Sequence, residues 1–173
     1  MIGPLIAAAG FAAFTIPGTG GNYWSTFLPA VVVLGFGMTV TVAPLTTTVM
    51  NALEPDAAGT ASGVNNAVSR IAALLAIAMF GSLMAWAFEG SLHEGLQAAN
   101  VPHDVAALVQ SQRNRLAAVE LPPGIDPASA AEVHRVVADA FVAGFRWIMA
   151  VSAALALAGA LIAAVLVRSD AKR

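Results

Sequence analysis

Thr26 to Phe80 reads TFLPAVVVLGFGMTVTVAPLTTTVMNALEPDAAGTASGVNNAVSRIAALLAIAMF, and its punctuation decides the fold. Phe27 to Met50 supplies 24 uncharged positions, the acidic turn Glu54-Pro55-Asp56 interrupts, and Ile71 to Phe88 supplies 18 more. A bilayer core of about 30 Å needs about 20 apolar residues at about 1.5 Å each, so both runs are long enough to cross. Outward from this pair, Trp147 to Val167 gives a third run of 21 residues, and Ile2 to Ile16 gives 15. Fifteen residues make only about 22 Å of helix. With no basic residue ahead of it, the first run reads as a span whose beginning is missing rather than a signal peptide, which carries a positive leader. The expected fold class is therefore all-α: a polytopic transmembrane helix bundle of four spans, about 2–16, 27–50, 60–88 and 145–167, filling residues 1–173, with a partly helical outer loop at 89–140.

Composition agrees. Of 173 residues, 58% are hydrophobic, 8 are Lys or Arg and 10 are Asp or Glu, and the mean hydropathy is +0.78. A soluble domain carries roughly a quarter charged residues. A net charge of -2 without a basic stretch leaves nothing to displace counterions from nucleic acid. The absence of cysteine excludes disulfides, thiolate zinc sites and thiol catalysis.

Four crossings place Tyr23, Trp24, Trp86 and Trp147 at one bilayer face, the layer that amphipathic rings prefer. Arg70, Arg168, Lys172 and Arg173 fall on the opposite face, against Arg135 and Arg146 on the Trp side, so the C-terminal tail is expected in the cytoplasm. The excursion from Glu89 then faces outward. Val105, Leu108, Val109, Gln112 and Leu116 repeat at helical spacing, and a second helix is expected near Asp126-Pro127, where Asp caps and Pro suits the first turn. Asp139 and Arg146, seven apart on one face, fit a surface charge pattern.

The second run holds Gly35, Gly37 and Pro44 where a membrane helix should be in mid-bilayer. Its hydroxyls, Thr39, Thr41, Thr46, Thr47 and Thr48, suit bonds back to i-4 carbonyls or a polar path. Pro44 and Thr41 are expected to mark a helix that bends. Gly59 and Gly63 form a small-xxx-small pair that, with Gly35 and Gly37, suits close helix packing. The sharpest cluster is Ser62, Asn65, Asn66, Ser69 and Arg70 in TASGVNNAVSR, of which Asn66, Ser69 and Arg70 share one helical face with Ser62. An arginine facing lipid at the bilayer centre costs at least about 3 kcal/mol. Arg70 therefore belongs near the inner boundary or in a wet cavity, either as a topology-setting interfacial charge or as the end of a polar face on a substrate route.

Chemistry has little to stand on. His93, His103 and His134 all lie in the excursion without metal-ligand spacing. No P-loop, G-x-S-x-G or H-E-x-x-H signature occurs, and no Ser/His or Asp pair lies within the spans. No catalytic residue, metal or cofactor is expected.

The G-F-G and A-P-L of the second run, the A-G-T-A-S-G turn and the N-N-x-x-x-R entry that follows resemble a late pair of spans in the major facilitator superfamily, specifically its 14-spanner drug/proton antiporter branch. The closing AFVAGFRWIMAVSAALALAGALIAAVLV resembles that branch's last span. The resemblance implies a multidrug efflux permease of the bacterial inner membrane, exporting amphiphilic small molecules against protons by rocking of two helical halves. Its partners would be the lipid bilayer, the remaining transporter helices, the substrate and the proton. The branch's loop motif and coupling carboxylates have no counterpart here, so the chain reads as a C-terminal fragment that does not transport alone. The alternative is a small standalone membrane subunit packing on partner helices.

Overall fold

The computed structural model describes residues 2–51, 58–121 and 124–170, with side chains described except at 43, 45–51, 58, 61 and 166–170. The side chains of Thr46, Thr47, Thr48 and Arg168, the Glu54–Asp56 turn, Pro122-Pro123, Lys172 and Arg173 lie outside that description. The described residues are all-helical: α1 (Ile2–Ala13), a π-helical turn (Tyr23–Phe27), α2 (Leu28–Asn51), α3 (Ala58–Ala98), α4 (His103–Ser111), a 3-10 turn (Arg113–Ala118) and α5 (Pro127–Asp170). Among the described residues, three helices are long and apolar enough to cross a membrane, over Tyr23–Val42, Ser62–Ala98 and Pro127–Val165. α1 is the exception. Its 12 residues reach only about 18 Å, because it tapers after Ala13 into i→i-3 bonds from Thr15 to Ala12 and from Ile16 to Ala13.

The chain forms two compact units. The first takes in Met1–Ile16, Asn22–Met79 and Met149–Arg173. Within it α1 lies antiparallel on α2 through a seam of small residues: Gly3 against Val40 and Thr41, Ala7 against Gly37, and Gly10 against Leu34. A Cβ built at Gly10 would stand 2.7 Å from Leu34 Cα, and one at Gly3 2.5 Å from Thr41 Oγ1. Backbones meet where side chains are missing, which is how helices associate in lipid, where apolar burial supplies no drive. The entry to α2 is set locally. Asn22 Oδ1 accepts from Trp24 N at 3.0 Å, and Tyr23 stacks on Phe27 and meets Trp24 edge-on. In contrast, Val64, Val68, Ile71, Leu74, Ile77 and Met79 of α3 are each 58% or more exposed. From Ile71 to Met79 every residue is apolar, a surface that suits lipid or neighbouring helices better than water.

The second unit takes in Pro17–Gly21 and Phe80–Ile148 and holds the apolar core. Phe88, Leu92 and Leu96 descend one face of α3 four residues apart. They meet Val133, Val136, Val137 and Ala140 of α5, with Val109 and Val119 closing over them. α3 and α5 run antiparallel here: Gly144 faces Met84, Gly95 faces Val136, and Trp86 meets Trp147 edge-on with ring centroids 6.0 Å apart. Of the excursion expected as a partly helical loop at 89–140, residues 89–98 and 127–140 continue the two long helices, and α4 and the 3-10 turn lie between them. At 41 and 44 residues α3 and α5 are about 61 and 66 Å long, roughly twice the hydrocarbon thickness.

Their ends are explicit. α3 stops on Asn100 at φ 50, with Val101 N bonding Leu96 O and Asn100 N bonding Gln97 O. This paired closure satisfies carbonyls of the last turn and brings Val101 onto the core beside Leu96. α5 starts on Asp126, whose Oδ2 accepts from Ala128 N and Ser129 N at 3.1 Å, with Pro127 in the first helical position, as the sequence predicts.

Candidate functional site

The candidate site residues fall on α2 and on the first third of α3. Asn65, Asn66, Ser69 and Arg70 are all exposed on α3, with Ser62 one turn earlier on the same face. From Arg70 to Trp86 is about 24 Å of helix, which is most of one hydrocarbon thickness. If Trp86 marks one interface, Arg70 stands at the other, with the amides a turn farther out. Side-chain carbonyl, amide and guanidinium groups thus lie along one line on a helix whose neighbouring surface is apolar. Such a line can hydrogen-bond a polar group of a passing solute, or a polar residue on a packed helix.

On α2 the hydroxyls turn back on their own helix. Thr39 Oγ1 donates to Gly35 O at 2.9 Å and Thr41 Oγ1 to Gly37 O at 2.7 Å. Thr41 is half-buried in the contact with Gly3, so its hydroxyl faces α1. Pro44 lies inside α2 and is exposed; having no N–H, it offers the carbonyl of Val40 no helical donor, yet the helix continues to Asn51. Of the packing glycines, Gly37 meets the Ala7 backbone, whereas Gly35, Gly59 and Gly63 face open space. α1's Gly3, Ala7 and Gly10 complete the seam that Gly37 belongs to. Small residues at spacings of four and three were the available signal.

The second unit carries the ionic network. Arg113 Nη1 pairs with Glu89 Oε1 at 3.2 Å and Arg115 with Glu120 at 3.1 Å. Gln112 holds the main chain at Glu120 from both sides, donating to its carbonyl at 2.8 Å and accepting from its N–H at 3.1 Å. His93 contacts the Gln97 and Gln110 side-chain amides through its two ring nitrogens, at 2.9 and 3.2 Å, fastening α4 to α3. The hydrogen bond from Arg135 holds the Glu132 carboxyl below the usual carboxylate range and raises Arg135 in turn. Among the described residues no three His, Cys, Asp or Glu side chains group to hold a metal.

Asp139 and Arg146 do more than decorate the surface of α5. Thr19 Oγ1 donates to Asp139 Oδ1 at 3.1 Å, and Arg146 Nη2 donates to the Pro17 carbonyl at 3.0 Å. Their common face was legible from the spacing of seven; their partners, more than a hundred residues away, were not. Comparison of the chain with known family models, curated proteins and solved structures gives no match.

Proposed function

We propose that the chain is the C-terminal part of a secondary active transporter of the bacterial inner membrane, in the drug/proton antiporter branch of the major facilitator superfamily, exporting amphiphilic small molecules. The observation that carries this reading is the exposed polar line from Asn65 to Arg70 on a helix long and apolar enough to cross a bilayer. Polar groups at a membrane boundary have a use when something polar passes or docks there. The resemblance of Thr26–Phe80 to that branch adds the direction of transport and the proton as counter-substrate. In this reading four rods enter the membrane, the C-terminal tail lies in the cytoplasm, and the open faces of α2 and α3 receive the remaining transporter helices.

A second reading, a small subunit packing on partner helices, is favoured by the open space beside Gly59 and Gly63. An in-frame coding extension upstream of Met1 supports the transporter; a stop codon and ribosome site there support the subunit. The direct test is Arg70→Ala in the complete transporter. Loss of a hydrogen bond to a charged group is worth about 1.5–3 kcal/mol, so efflux should fall about tenfold or more at equal expression, with partial recovery in Arg70→Lys. Unchanged efflux and drug resistance would remove Arg70 from the substrate route.

A further inference from the structure

Between the bonded turn that ends at Ile16 and the Asn22 cap, the chain runs through the glycine-rich stretch Pro17–Gly21. Gly18, Gly20 and Gly21 give it a loose backbone, with Gly20 at φ +89, and Pro17 supplies no N–H. Pro17 is nevertheless buried, where a carbonyl without a donor is costly. α5 provides what is missing. Arg146 donates to that carbonyl at 3.0 Å, and Asp139, two helical turns away, accepts from the Thr19 hydroxyl at 3.1 Å. Arg135 Nη1 stands 3.8 Å from the other Asp139 oxygen and steadies the carboxylate from behind.

We propose that Asp139 and Arg146 form a two-point clasp that positions the α1–α2 turn on α5. One contact fixes the turn by its main chain and the other sets its rotation by a side chain, so the turn moves with α5. The clasp is independent of transport: the same contacts exist whether the chain exports solutes or assembles with a partner, and the experiment reads the turn directly.

The chain has no cysteine, so a single introduced thiol is a clean reporter. Gly18→Cys suits, since a Cβ there finds Arg146 Nη2 at 3.8 Å, an ordinary contact; Gly90→Cys on α3, in open space, serves as the control. The measurement is the rate of maleimide labelling in membranes containing the full chain. Arg146→Ala or Asp139→Ala should speed labelling at Gly18→Cys about threefold to tenfold, the opening expected when one hydrogen bond is lost, while the Gly90→Cys rate stays the same. Removing the guanidinium lowers the thiolate fraction and so slows labelling, which means a faster rate cannot be a charge effect. Arg146→Lys and Asp139→Asn, which keep a donor and an acceptor, should restore the slow rate. Thr19→Val should match Asp139→Ala and add nothing to it. Equal rates in every background overturn the clasp, and so does a parallel rise at Gly90→Cys, which would mean that the two side chains hold the whole unit and not the turn.

Discussion

Gly37 and Gly35 differ by two positions and by everything that surrounds them. A side chain at Gly37 must enter the backbone of Ala7, which cannot swing aside as a flexible side chain would, whereas Gly35 faces open space. Gly37→Leu should therefore part α1 from α2 and cost about 1–3 kcal/mol or more, read as a lower thermal midpoint in detergent, and Gly35→Leu should leave that midpoint in place. A second effect at this scale depends on pH. Because Arg135 holds the Glu132 carboxyl below its ordinary value, the folded state keeps the carboxylate longer than the unfolded chain does. Its contribution is complete above the ordinary carboxylate range and is lost as pH falls through the lowered value. The pair is exposed, so the effect is small. Thermal unfolding of the second unit should lose stability on acidification less steeply in Glu132→Gln than in the parent, and parallel slopes would contradict the assignment.

Elements that stop on local chemistry could be found in advance, and elements that stop on distant packing could not. Asp126-Pro127 announces the start of α5, and the structure puts two backbone N–H groups on the Asp126 carboxylate. Asp126→Ala should cost about 1 kcal/mol by calorimetry, the usual worth of a cap. The reach of α3 was less visible. Glu89, His93 and Glu94 break the hydrophobic run, and a membrane reading ends the helix there; yet Phe88, Leu92 and Leu96 continue a one-sided apolar stripe between them. The charges mark the solvent face of an amphipathic helix, not its end. What completes the core, Val109, Val119 and Val133, comes from segments whose pairing is set by tertiary packing and leaves no periodic trace. Leu92→Ala, at 1% exposure, should destabilise the unit by about 2–5 kcal/mol, more than Asp126→Ala. Of the polar line, the shared face of Ser62, Asn66, Ser69 and Arg70 follows from spacing alone. Thr41 shows the limit of such reading: its position suits a polar path, but its contact with Gly3 depends on where α1 lies.

For the molecule as a whole, the decisive quantity is the length of α3 against the thickness of a bilayer. Gly59 and Gly90 lie on this one continuous helix, and each faces open space, so a cysteine at either position is tolerated and accessible. The two are about 46 Å apart along the axis, more than the roughly 30 Å of hydrocarbon. If α3 crosses the membrane, they must emerge on opposite sides. In the proposed orientation, with the Arg70 side in the cytoplasm, Gly59 lies inside and Gly90 outside. A membrane-impermeant maleimide applied to intact cells expressing the chain should then label Gly90→Cys, and should reach Gly59→Cys only after permeabilisation. Labelling of both in intact cells would mean that α3 does not cross. The reverse pattern would keep the crossing but turn the ionic network of Glu89, Arg113, Glu132 and Arg135 toward the cytoplasm. The polar line would then face outward, which contradicts the proposed export from the cell interior.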